Sequence, residues 1–183
     1  GRLPVKVVVG GLRAGTTQAM RQQDRDYISN AWTRVAEATG RSFDHAFFDR
    51  EHFVYDTEPA CRAVVTMRER HPDKAVQFMG AISEAFYGNN RDTTDTDVLC
   101  AIAEEQGDDA TAFRELFLAP ETRNETARNF HFANQSGVHG FPCLMIGGDA
   151  AGYALVTNGY RPLDGLPEAI ERWLEKIDEV SAA

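Results

Sequence analysis

Cysteine is scarce in this chain: Cys61, Cys100 and Cys143 are the whole set in 183 residues. An odd, widely spaced trio excludes a disulfide-rich secreted scaffold and a clustered zinc site, and it leaves no CxxC redox pair within the chain. Such usage points to a reducing cytoplasm. No apolar run approaches the ~20 residues that cross a bilayer, and no signal-peptide pattern opens the sequence. Gly1 is not an initiator Met, so a processed or trimmed end is expected there. Positive charge is outweighed, with 19 Lys and Arg against 28 Asp and Glu and a net charge of -9. That balance repels phosphate backbones and anionic lipid, so neither nucleic acid nor membrane is an expected partner. His131 and His139 stand alone, and no His/Asp/Glu cluster has metal-ligand spacing, so no metal is expected. Internal repeats and low-complexity tracts are also missing.

What is present is an ordinary globular composition, 43% hydrophobic and 26% charged, sized for one domain or one domain with a large insertion. Val5–Val9 is β-branched and reads as a strand, with Lys6 marking it as an edge. Tyr27, Ile28, Ala31, Trp32 and Val35 recur at helical spacing up to Gly40. Asp56-Thr57-Glu58-Pro59 opens a second helix, striped by Ala60, Cys61, Val64 and Met67. Pro72-Asp73 restarts the chain before a stripe of Val76, Met79, Ile82 and Phe86. Thr94-Asp95-Thr96 opens a helix with Val98, Leu99 and Ile102, closed by Gly107. Phe113, Leu116 and Phe117 make a short helix ending at Pro120, and Ala127, Phe130 and Phe132 a further one up to Gly137. Cys143–Ile146 and Tyr153–Thr157 flank the turn chemistry of Gly147-Gly148-Asp149 and predict a hairpin. Leu166, Ala169, Ile170, Trp173, Leu174 and Ile177 predict an amphipathic final helix. The order is strand, helical block, strand, strand, helix.

Gly10-x-x-x-x-Gly15-Thr16-Thr17 after a strand has the outline of a phosphate-binding loop. Thr16 stands where the phosphate-contacting Lys belongs, so that reading is rejected. Glu104-Glu105 and Asp108-Asp109 read as solvated helix ends. Cys61 and Cys100 sit on apolar stripes and read as core. Cys143, at the head of a strand, is expected to be mostly buried, inert and without a bridge to either of the others, because thiol reactivity needs exposure and a nearby positive charge.

The informative run is Gly137-Val138-His139-Gly140-Phe141-Pro142-Cys143-Leu144-Met145-Ile146. Together with the hairpin, Gly159-Tyr160-Arg161-Pro162 and the terminal helix, it resembles the C-terminal half of DsbA-like thioredoxin-fold oxidoreductases, closest to the FrnE-like and protein-disulfide-isomerase branch. Val8–Gly15 resembles that branch's second strand and following loop, and Asp56–Pro59 with Cys61–Val64 its inserted helical domain. Phe86-Tyr87, Arg91-Asp92 and Asp97-Val98-Leu99 fit as well. The resemblance implies an α/β, thioredoxin-like fold formed by residues 1–16 and 137–183, interrupted by an all-helical insertion at 17–136. It implies a cis peptide at Phe141-Pro142, with these two residues holding a substrate strand, and it leaves His139 and Cys143 as accessory candidates. The family's first strand and CxxC helix are then expected upstream of Gly1, and the missing strand is expected between Val5–Val9 and Cys143–Ile146, so that those two share no ladder.

The function so implied is thiol-disulfide oxidoreduction or isomerisation on protein thiols and disulfides, with no cofactor. The alternative is a glutathione-dependent enzyme of the kappa-transferase or 2-hydroxychromene-2-carboxylate isomerase kind. A third class is a binding module without the redox pair. Oligomeric state is left open.

Overall fold

The computed structural model describes residues 3–148 and 152–181, the last six by backbone alone. Two compact units divide the chain, Gly1–Ser136 and Gly137–Ala183.

The first unit is helical. Helix α1 spans Gln22–Thr39. An Arg21–Asp24 capping box starts it and Gly40, at φ 69°, closes it. A 3-10 turn at His45–Asp49 follows, capped by Asp44, whose carboxylate accepts the Ala46 N–H. Helix α2, Glu58–Arg70, carries Pro59 in its first turn, where a missing N–H costs nothing. Asp56 Oδ1 accepts the Glu58 N–H at 2.9 Å. Helix α3 (Ala75–Ser83) runs into a π turn at Glu84–Gly88. Helices α4 (Thr96–Glu105) and α5 (Ala110–Leu118) begin under Asp95 and Asp109, whose side chains cap them, and α6 covers Pro120–Gln135.

Two cores form inside this unit. One joins Val64, Val65, Met67, Phe78, Leu99, Ile102, Phe113 and Phe117 from α2 to α5, with Val9 added from the N-terminal segment. The other is aromatic and gathers Trp32, Phe47, Phe53, Tyr55 and Phe86.

Several expected features are corrected here. Val5–Val9 forms no strand, because its inward side chains, Val7 and Val9, pack on the helical core. The Val7 carbonyl is taken by Arg68 rather than by a ladder. Helix α2 is not striped. Ala63, Val64, Val65, Thr66 and Met67 are all buried because helices surround it. On α3 the buried face is Ala75, Phe78 and Ile82, which turns Val76 and Met79 outward at 49% and 41% exposed. On α6 the buried residues are Thr122, Thr126, Asn129 and Ala133, and Ala127 and Phe132 face outward. Asp108 is not a solvated end. Its buried carboxylate receives Arg70 through two 2.7 Å bonds and meets His71 Nε2 at 3.1 Å.

The second unit is a hairpin followed by a helix. Strand β1 (Cys143–Gly148) pairs antiparallel with β2 (Gly152–Asn158), the one ladder among the described residues. The register passes from Leu144–Thr157 to Met145–Leu155, so Val156 is the extra residue of a bulge. Gly147 is required where the strands meet, since a Cβ there would lie 2.1 Å from the Gly152 carbonyl oxygen. Helix α7 spans Leu166–Ser181, and Leu166, Ala169, Ile170, Trp173 and Leu174 are half-buried along it. The expected Asp149 of the turn and the Ile177 side chain lie outside the described residues.

Candidate functional site

The loop from Gly137 to Pro142 is set by its glycines and by the strand it enters. Gly137 adopts φ 72°, a conformation that side chains resist. The Phe141–Pro142 peptide bond is cis. Pro142 immediately precedes β1, where its lack of an N–H removes no ladder bond. Its carbonyl accepts the Gly159 N–H at 2.9 Å, which ties the loop to the end of β2. One residue into β1, the Leu144 N–H donates to the Thr157 hydroxyl at 3.1 Å. The loop base is therefore held by β2, while Phe141 stands 45% exposed and Pro142 is exposed beside it.

The four sequence-derived candidates lie along this loop and at the first residue of β1. His139 is exposed two residues before Phe141. Cys143 follows Pro142 and is half-buried, more open than expected. Burial pushes its thiol above the ordinary cysteine range. Cys61 is also only partly buried, yet burial pushes its thiol up to about 11. Cys100 is buried and its thiol is likewise raised, chiefly by desolvation. All three are free. Attack on a disulfide requires the thiolate, and burial disfavours that form at each of these thiols. Among the described residues no cluster of metal-ligating side chains occurs, and no helix is long and apolar enough to cross a membrane.

The chemistry available here is main-chain and apolar. β1 pairs with β2 on one side only, so its other edge carries ladder groups with no strand partner among the described residues. An extended peptide meeting such an edge gains main-chain hydrogen bonds, and an exposed ring beside it adds apolar contact.

The model of the DSBA-like thioredoxin domain matches residues 11–171. The chain belongs to that family. Its fold is the DSBA-like thioredoxin fold, and a solved relative agrees. A candidate protein disulfide isomerase from Nitrosomonas europaea is 32% identical and superposes with a TM-score of 0.81, over 90% of this chain and 80% of that one. The cytosolic disulfide reductase DsbM from Pseudomonas aeruginosa gives a TM-score of 0.68 at 24% identity, over 93% of this chain and 82% of that one. The same protein solved with GSH gives 0.66 at 22% identity, over 91% and 82%. At those identities the likeness to DsbM concerns the fold. No curated relative matched.

Sequence reasoning missed Arg68, which lies buried among polar groups of the N-terminal segment and α6 of this DSBA-like chain. The available signal was a pair of arginines, Arg62 and Arg68, inside an otherwise apolar helical run. A charge in such a run is retained only when it is paired.

Proposed function

We propose that this chain serves thiol-disulfide oxidoreduction or isomerisation on protein substrates and that Phe141 and Pro142 hold the substrate strand. The observation that carries the reading is family membership across residues 11–171 in a chain whose exposed Phe141-Pro142 pair heads an open strand edge. The 32% identity to a candidate protein disulfide isomerase supports it. In the exchange, a thiolate attacks one sulfur of the substrate disulfide and the other sulfur leaves as a thiolate. A second thiol then resolves the mixed disulfide. Cys61, Cys100 and Cys143 are scattered and burial disfavours the thiolate of each, so the attacking thiol is assigned outside these three, with His139 and Cys143 as neighbours of the held strand. Residues 1–16 and 137–183 are assigned to the thioredoxin-like half and 17–136 to the insertion. The proposed setting is cytoplasmic and the exchange needs no cofactor.

The 183-residue chain should catalyse insulin reduction by dithiothreitol only at background. An unfolded cysteine-containing peptide should shift backbone resonances of residues 139–144. Turnover that Cys143→Ser abolishes would make Cys143 the nucleophile and overturn the assignment. Lack of peptide-induced shifts would remove the strand-holding role. The second reading, glutathione dependence, draws on DsbM having been solved with GSH. Shifts induced by glutathione and not by peptide would select it.

A further inference from the structure

Arg68, near the C-terminal end of α2, is buried and spends its guanidinium on the N-terminal segment and α6 at once. Nη1 donates to the Val7 carbonyl at 2.7 Å and to Asn129 Oδ1 at 2.8 Å, while Nη2 donates to Glu125 Oε1 at 2.9 Å. Glu69, the next residue, accepts a further bond from Nη2 at 3.2 Å. Asn129 is itself oriented, donating from Nδ2 to the Glu125 carbonyl and carboxylate. Burial works to raise the Glu125 carboxyl. The hydrogen bonds from Arg128 and Asn129, with the charges of Arg128 and Arg68, outweigh that and hold it below its ordinary range. It is therefore an anion facing Arg68.

The Val7 contact is the first of a series. The Gly11 backbone lies beside the Cys61 thiol and favours its charged form against the burial that raises it. The Arg13 N–H donates to Thr57 Oγ1 at 3.0 Å, and the Gly15 N–H to Asp56 Oδ1 at 2.9 Å. As the N-terminal segment advances through 7, 11, 13 and 15, its partners retreat through 68, 61, 57 and 56. The segment thus runs antiparallel along the whole of α2. Gly11 allows the close approach, at φ 62°, where a Cβ would fall 2.6 Å from the Phe130 ring. Among the described residues, the bond from Arg68 is the one that ties the backbone of residues 5–10 to the helices.

We propose that Arg68 is a positioning residue, which fixes the extended segment Val5–Val9 on the helical unit by joining the Val7 carbonyl to the Glu125–Asn129 pair of α6. The role rests on the reading that residues 1–16 belong to the thioredoxin-like half, since Arg68 then sets where that half begins on the insertion. Only a planar fork can serve these acceptors together. A lysine ammonium is a compact point charge and keeps the carboxylate at the expense of the carbonyl.

Native-state proteolysis of the 183-residue chain tests this, with cleavage after Lys6 reporting the segment and cleavage after Arg114, in α5, reporting the helical unit. Arg68→Lys should speed the Lys6 cut about tenfold or more, as the open population rises, and leave the Arg114 cut and the thermal midpoint nearly unchanged. Glu125→Gln, which keeps an amide oxygen to accept from Nη2 and leaves the Val7 bond in place, should keep the Lys6 cut slow. Arg68→Met should release the segment as Lys does, and if it fails to fold, the Lys and Gln variants decide. Equal acceleration of both cuts would make Arg68 a general stabiliser and overturn the proposal. No acceleration in Arg68→Lys would assign the hold to the packing of Val7 and Val9, and the proposal would fall. Fast cleavage in Glu125→Gln would make the hold a matter of the Glu125 charge and not of the hydrogen-bonded fork, and would also overturn it. None of these readouts involves a thiol, so the exchange reading and the positioning role fail independently.

Discussion

Residues 3–136 bury Phe47, Phe78, Phe113 and Phe117 completely, whereas no described side chain between Gly137 and Glu175 is fully buried. The helical unit draws its stability from apolar surface removed from water, the dominant favourable contribution to folding. The hairpin unit relies on a six-pair ladder and a bulge and leaves Phe141, Tyr153 and Leu155 about half exposed. The candidate loop belongs to the less buried unit. Exposed apolar side chains are what an interaction surface requires, and a closed core would have no such surface to offer.

Truncation should separate the two units most sharply. Phe78→Ala should cost about 3–5 kcal/mol, because a large ring leaves a cavity that packed neighbours only partly fill. Leu155→Ala, 47% exposed, should cost under about 1 kcal/mol. Urea unfolding followed by circular dichroism measures both. Equal losses would show that the second unit hides a core as firm as the first, and the contrast would fail.

A smaller effect is expected at the polar clamp of the helical unit. The bidentate hydrogen bond from Arg70 pulls the Asp108 carboxyl down to about 2, with His71 and the Asp109 N–H assisting against the opposing effect of burial. A carboxyl depressed in the folded state adds stability above its ordinary value of 3.8 and loses it as pH falls towards 2. Asp108→Asn should therefore cost about 2 kcal/mol near pH 7, and the gap from the parent should narrow steadily below pH 4. A gap constant down to pH 2 would mean that shape, and not charge, makes the clamp.

These residues also show what the sequence could reveal. Helix boundaries were legible wherever a local signal dictates them: Gly40 stops α1, Pro59 opens α2, and Asp95 caps α4. The hairpin was legible from two short apolar runs around the Gly147-Gly148-Asp149 turn chemistry, and the Phe141-Pro142 loop from its family likeness. Faces were harder to read. Periodicity on α3 allows Val76 and Met79 inside as readily as Ala75 and Phe78, and only the position of neighbouring helices decides. Asp108 looked solvated because its partners are 38 and 37 residues away. Val5–Val9 has strand composition, but a strand needs a neighbour to bond with, and the helices claim this segment instead. The site's main-chain edge has no side-chain signature at all, which is why the loop could be named while its binding geometry could not.

The smallest stability effect, and the one that bears most directly on function, belongs to Phe141→Ala. The ring is 45% exposed, so its removal gives up little buried area and should move the unfolding free energy by no more than about 0.5 kcal/mol. The loop's shape does not depend on the ring, because Gly137, Pro142 and the bond from Gly159 N–H to Pro142 O define it. Binding should respond differently. An extended peptide paired to the β1 edge would lie against the ring, and loss of an aromatic contact at a small interface typically costs about 1 kcal/mol or more. Peptide titration monitored at residues 139–144 should then show weaker binding by about fivefold, with the hairpin's resonances otherwise unchanged. A variant that binds as well as the parent would make the exposed ring incidental and leave the strand edge alone to account for recognition. A variant that unfolds would place Phe141 in a core, and the division between a buried unit and an open one would have to be redrawn.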